Sequence, residues 1–233
     1  MYIIIAFIIV FIVILIFTLT ARDRMLRIYQ KYSKVANSKK VDGKNLAFYF
    51  REKLGMNELS FARTSQKLAD AYYIKERTLL LSNEVADTPS LASLTIVAHE
   101  FGHALQHKTD QNKFHVNYIL QKITRTTNKL ILPIFLLGLI FYVPNWLPTA
   151  GLICLYGAFV LFLLHLAIKL SHIPVEYDAS RRGLQLLQEY DILSPHELKI
   201  AKKLLKVAAG TYIASFFDGI LIFTDTISYL TKK

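Results

Sequence analysis

Long uncharged apolar blocks alternate along the chain with amphipathic and polar stretches, and each block predicts a different kind of helix. Residues 2–19 hold one Thr and no charge, enough for a spanning helix, which needs roughly 17–25 apolar residues. A second block, 130–143, is about fourteen residues or roughly 21 Å, short of a hydrocarbon core of about 30 Å. Borrowing 126–129 by snorkelling closes the gap. A third, 149–168, carries His165, which at that depth is read as facing its helix neighbours and hydrogen-bonded. Pro144-Asn145-Trp146-Leu147-Pro148 makes a tight turn between them, so 130–168 predicts a helical hairpin through a bilayer.

The intervening stretches read as folded protein. Asp42-Gly43-Lys44-Asn45 starts a helix whose Leu46, Ala47, Phe50 and Leu54 keep helical spacing, and Gly55 stops it. Residues 59–65 and 70–82 carry β-compatible side chains and predict two short strands. Asp87-Thr88-Pro89-Ser90 then opens a helix over about 89–108, lined by Leu91, Leu94, Val97, Ala98, Phe101 and Leu105. A polar helix over roughly 113–128 leads into the second block. Pro174 begins another helix, and the capping box Ser194-Pro195-His196-Glu197 begins the last. Residues 207–230 are apolar but interrupted by Asp218 and Asp225, which suits either a fourth span or an amphipathic surface helix.

Composition fits this picture: 53% of residues are hydrophobic and mean hydropathy is +0.34. Net charge is +11, yet 1–21 and 130–168 hold no Lys or Arg. A nucleic-acid footprint has no reason to alternate with uncharged blocks of spanning length, so no nucleic-acid partner is expected. Positive stretches beside apolar blocks are orientation signals instead. Arg22, Arg24 and Arg27 directly follow the first block, no Lys or Arg precedes it, and Thr18-Leu19-Thr20 suits signal cleavage poorly. An uncleaved anchor with its N-terminus outside follows. The one cysteine, Cys154, permits neither an intrachain disulfide nor a Cys-rich zinc site.

The candidate chemistry lies in Val97-Ala98-His99-Glu100-Phe101-Gly102-His103-Ala104. In His-Glu-x-x-His the two imidazoles are just over one helical turn apart, so both leave one side of a helix and can grip one Zn2+. Glu100 stands beside them as the general base for a metal-activated water. Gln106 and Thr109 replace the Gly and His that a metzincin needs. His107 lies about 80° around the helix from His99 and should point away from the metal. Glu176 is the best third ligand, since Ala179, Ser180 and Gly183 share its stripe and would let its helix approach closely. Two predicted spans separate His103 from Glu176, which puts both on one side of the membrane, the cytoplasm by the Lys/Arg rule. Asp218 in Phe217-Asp218-Gly219 is the rival, and paired with His-Glu-x-Gly-His it looks like the intramembrane site-2 protease pattern.

The expected organisation is a mainly α membrane protein with a zincin-like catalytic core, the His-Glu-x-x-His helix preceded by a short β-hairpin. Residues 1–21 form the anchor, 22–129 the first part of the catalytic domain and 130–168 the hairpin. Residues 169–206 form the second part with the third ligand, and 207–233 an apolar C-terminal helix. The partners are a peptide or protein substrate, with membrane proteins in reach, and the lipid bilayer.

Three segments carry a resemblance: 97–104, Pro174-Val175-Glu176-Tyr177-Asp178-Ala179-Ser180-Arg181-Arg182, and Gly210-Thr211-Tyr212-Ile213-Ala214. Together they resemble the YugP-type neutral zinc metallopeptidases of bacterial membranes over nearly the whole chain. The first segment is common to many zincins; the second is far more specific. The resemblance implies a gluzincin-like membrane peptidase with His99, His103 and Glu176 as zinc ligands and Glu100 as base. More distantly, the chain is similar to the prenyl-protein-processing and heat-shock HtpX peptidases, which place an Asp four residues after the ligand Glu. Here that position is Ser180 and the carboxylate is Asp178, leaving Asp178, Ser180 or another residue to orient a His ligand. Tyr72, Tyr73, His172 and His196 are the candidate oxyanion donors. The competing class is a non-catalytic zinc-binding membrane scaffold, against which Glu100 argues, because structural zinc needs no base.

Overall fold

The computed structural model describes residues 2–214. It is mainly helical with one small sheet: α1 (Tyr2–Tyr32), α2 (Gly43–Lys53), β1 (Ser60–Thr64), β2 (Ala71–Tyr73), β3 (Thr78–Ser82), α3 (Asn83–Asp87), α4 (Leu91–Thr109), α5 (Gln111–Tyr142), α6 (Pro148–Glu189) and α7 (Pro195–Ala214). Among the described residues the chain divides into two compact units, one from 2–22, 116–173 and 210–214, the other from 23–115 and 174–209.

The second of these is organised around α4. Ser90 caps the helix, its Oγ accepting from Ser93 N at 3.1 Å. The expected start at Asp87–Thr88 is displaced because Asp87 closes the short α3 and pairs with Arg63. Leu91, Leu94, Val97, Ala98, Phe101 and Ala104 are all buried, packed with Leu46, Ala47 and Phe50 of α2 and Leu186, Leu187 and Ala201 from α6 and α7. The Phe50 and Phe101 rings meet edge to face at 5.4 Å. Asp42 caps α2 and Gly55 follows it at φ 58, both as the sequence predicts. The capping box at α7 also forms, with Ser194 N donating to Glu197 Oε2 at 2.8 Å and Glu197 N to Ser194 Oγ at 3.4 Å.

The sheet departs from the two expected strands. The stretch 70–82 is two strands, β2 and β3, joined by a polar turn in which Arg77 takes φ 45. The hairpin expected between 59–65 and 70–82 therefore does not form; the antiparallel pair lies inside the second stretch. β1 adds to it in parallel, Ser60 beside Thr78, giving the order β1-β3-β2 with β2 at an edge. Edge placement leaves one side of β2 free of ladder partners, which matters for the residues beside it.

In the other unit, α5 and α6 pair closely. A Cβ on Gly138 would lie 2.8 Å from Leu155 Cγ, and one on Gly151 would lie 2.7 Å from Tyr142 N. Small residues at such points allow helices to approach where no water drives them together. His165 is fully buried, and its Nδ1 lies 3.2 Å from Thr127 Oγ1. Leu136, Ile140, Ile153, Val160, Leu163 and Leu164 are exposed, an apolar outer surface far larger than isolated surface leucines. Among the described residues two helices, Tyr118–Tyr142 and Pro148–Glu189, are long and apolar enough to cross a membrane.

Two expected breaks are absent. The polar 113–128 and the apolar block after it are one helix, because nothing between them is a breaker; only polarity changes. Pro174 does not start a helix but lies inside α6. Proline removes one main-chain bond, and long stretches of satisfied helix on both sides outweigh that local loss. The apolar run from Val207 continues α7 to Ala214. Asp218 and Asp225 lie outside the described residues, and with them the rival third ligand.

Candidate metal centre

His99 and His103 leave α4 on one side, their rings 4.8 Å apart and nearly perpendicular. Glu176 is brought to them by a close helix contact. A Cβ at Gly102 would fall 2.1 Å from Ala179 O, and one at Gly183 would fall 2.5 Å from Ala98 O. Backbone cannot yield to such contacts, so glycine at both positions lets α6 lie on α4, with Ala179 as the third small residue of that seam. The small-residue stripe read from the sequence is this contact.

Glu176 Oε2 then sits 3.3 Å from His99 Nε2 and 3.5 Å from His103 Nε2. The three ligand atoms lie within 4.8 Å of one another, the groups largely but not wholly buried. Four atoms held about 2.0–2.1 Å from one zinc at tetrahedral angles would stand about 3.3–3.4 Å apart. Both separations to Glu176 match that spacing, and two imidazoles with one carboxylate are a donor set that zinc takes. With protein groups alone, burial lowers the pKa of His103, but the Glu176 charge and hydrogen bond outweigh it and push it up to about 9. Burial acts to raise Glu176, yet the same two imidazoles hold its carboxyl far below the ordinary carboxylate range.

The outer nitrogens of the two rings are also placed. Gln106 Nε2 donates to Val175 O at 2.8 Å and to Asp178 Oδ2 at 2.9 Å, both pure acceptors. That fixes the amide, so Gln106 Oε1 faces His103 Nδ1 at 3.0 Å and must accept from it. In the neutral ring the proton therefore sits on Nδ1, and the Nε2 lone pair is the one left for a metal. Asp178 is braced by Arg181 and by Arg182 Nε at 2.6 Å, and Arg182 also reaches Thr109 and Asp110 at the end of α4. Burial pulls the Asp178 carboxyl up, but bonds from Arg181, Gln106 and Arg182 hold it down to about 2. For His99 the partner is Ser180, Oγ to Nδ1 at 3.1 Å. Sequence reasoning named Asp178 and Ser180 but missed Gln106. The available signal was its spacing: three residues after His103, it shares that ring's side of the helix.

Glu100 is buried and its pKa is raised by burial, against the lowering pull of His99 and His103. Tyr72 N, on the free side of β2, donates to its Oε2 at 2.8 Å. The Tyr72 hydroxyl in turn lies 2.8 Å from His107 Nδ1, so His107 does point off the metal and serves to hold Tyr72. Of the expected oxyanion donors, Tyr72 is bonded to Glu100 through its main-chain N–H, while its hydroxyl is engaged by His107. Tyr73 and His196 are exposed, and His172 belongs to the other unit.

Comparison with known proteins identifies the family. A family model described as "Putative neutral zinc metallopeptidase" matches residues 7–231. The "Putative membrane protease YugP" of Bacillus subtilis (strain 168) is 27% identical over 187 residues, 80% of each chain. No solved structure matches. The chain belongs to the neutral zinc metallopeptidase family, and zinc is the metal that this family implies.

Proposed function

We propose that this member of the zinc metallopeptidase family is a multi-pass membrane endopeptidase with a gluzincin-like site on a zincin-like core. One observation carries the reading: three ligand atoms within 4.8 Å of one another, Glu176 at 3.3 and 3.5 Å from the two imidazoles, with a buried carboxylate, Glu100, next in sequence to one ligand and contributing none of the three. A structural zinc normally closes its four positions with protein ligands, whereas three ligands plus a neighbouring base is the pattern of a hydrolase.

In this reading His99, His103 and Glu176 hold the metal. Zinc supplies polarisation of the scissile carbonyl and a water acidic enough to deprotonate near neutral pH. Glu100 takes that proton and delivers it to the leaving amine. A raised pKa suits both halves of the task, because a carboxylate that is too acidic returns a proton poorly and never accepts it readily. Tyr72 N–H orients the base from one side. An extended substrate lying along the outer side of β2 would run beside Glu100, which makes that side the proposed substrate path.

The localisation rests on the two candidate spans and on the charge pattern: the uncharged blocks cross the bilayer, the N-terminus lies outside and the site faces the cytoplasm. Membrane proteins or peptides near the bilayer are the substrate class this favours. Glu100→Gln tests the enzyme reading directly. In detergent its zinc content should equal that of the wild type, while hydrolysis of a quenched peptide falls about 10²–10⁴-fold. Equal activity in both would leave a zinc-binding scaffold.

A further inference from the structure

A groove of about 400 Å³ runs along α6 and α7, within the range of about 300–1,000 Å³ typical of small-molecule sites. Leu184, Leu198 and Leu205 give it an apolar floor, and Arg181, Lys202 and Lys206 give it a cationic wall; among the described residues no carboxylate lines it. Arg181 is already engaged by Asp178. Neither Lys202 nor Lys206 has an ion pair among the described residues, so two uncompensated cations face one apolar trough.

Sequence position adds to this. Lys206 immediately precedes the apolar stretch that begins at Val207, and Tyr177, another lining residue, follows the block 149–168 by a few residues. Cations directly beside spanning segments are where anionic headgroups concentrate, each contributing about 1 kcal/mol near such a surface.

We propose that this groove binds one anionic phospholipid, phosphate on Lys202, Lys206 and Arg181, acyl carbons along the leucines. The proposal rests on the membrane reading and not on peptidase chemistry. It concerns the metal centre at one point only. Ser180, the partner of His99, also lines the groove, so a bound lipid lies against a residue that orients a ligand.

The test uses the full chain in neutral detergent, titrated with phosphatidylglycerol or phosphatidylcholine and read by native mass spectrometry. One phosphatidylglycerol should be retained in preference to phosphatidylcholine. Lys202→Ala/Lys206→Ala should weaken its binding on the order of 30-fold, from two lost cations. Lys199→Ala/Lys203→Ala removes the same charge from positions on the same helix that do not line the groove, and should change binding less than about twofold. Equal retention of the two lipids overturns the proposal, as does equal weakening in both double variants. Displacement of the lipid by millimolar inorganic phosphate, or by an acidic peptide at matched concentration, would overturn it too, assigning the site to a free anion or to a protein segment. Zinc content and hydrolysis by Glu100→Gln and wild type are independent of every one of these outcomes.

Discussion

His99 and His103 leave the same helix one turn apart and face the same carboxylate oxygen, yet their outer nitrogens are held very differently. His103 is backed by Gln106, whose amide is locked by Val175 O and Asp178, and Asp178 is itself held by Arg181 and Arg182. His99 has one hydroxyl, Ser180, that can donate or accept by rotating. The first arrangement dictates the tautomer; the second merely permits it. Because Arg182 also reaches Thr109 and Asp110, the His103 support doubles as a clamp between α6 and the end of α4. The two imidazoles of the candidate zinc site therefore differ in how far they are organised before a metal arrives.

Glu176→Ala should have the largest effect, since it removes what the two rings share. Zinc affinity should fall by more than the roughly 10–100-fold that a supporting residue costs, and hydrolysis should drop to background. In metal-stripped protein the same variant has a pH signature. His103 titrates at about 9 when Glu176 is beside it; without that carboxylate burial is opposed only by the Glu100 charge and the Gln106 bond, and the pKa should fall. The sign follows. A raised folded pKa gives stability that is complete below about 6.5 and lost as pH rises through about 9. Stripped wild type should lose stability over that window, and stripped Glu176→Ala should lose less. Thermal unfolding at pH 6 and pH 10 reads the difference, and a pH-independent wild type would show that the pair is not ionised.

Gln106→Leu comes next. It keeps the bulk and helix propensity but leaves His103 Nδ1, Val175 O and Asp178 without their amide partner in a buried place. A loss of zinc affinity of about 10–100-fold is expected, measured by competition with a chelator. A loss under twofold would mean that His103 needs no outer partner.

How much of this was legible follows the distance over which each feature is determined. The His-Glu-x-x-His geometry is set within one helical turn, so spacing alone placed His99, Glu100 and His103. Glu176 was reachable because Ala179, Ser180 and Gly183 write a close helix contact into consecutive turns, and Gly102 and Ala98 receive it. Gln106 was only half legible: its spacing from His103 was visible, but the partners that lock its amide, Val175 and Asp178, lie about seventy residues away in sequence. The parallel pairing of β1 with β3 is equally non-local. Pro174 and the polar-to-apolar change after 129 misled for the opposite reason. Both are strong local signals, and continuous helix on each side overrides them.

Ser180→Ala should have the smallest effect, and it sharpens the comparison most. A neutral hydroxyl bond contributes about 0.5–1.5 kcal/mol net, which bounds the loss of zinc affinity at roughly 2- to 13-fold. The low end is expected, because Ser180 offers His99 a single neutral hydroxyl. Gln106 joins three partners, His103, Val175 O and the Asp178 carboxylate, so its loss leaves more groups unpaired. In the double variant the two losses should add to within about 0.5 kcal/mol, since each support ends on its own ring. A Ser180→Ala loss as large as that of Gln106→Leu would break the contrast between the ligands. Strong non-additivity would instead mean that α6 shifts as a unit when either bond is cut, making the supports one device that holds Glu176 in place.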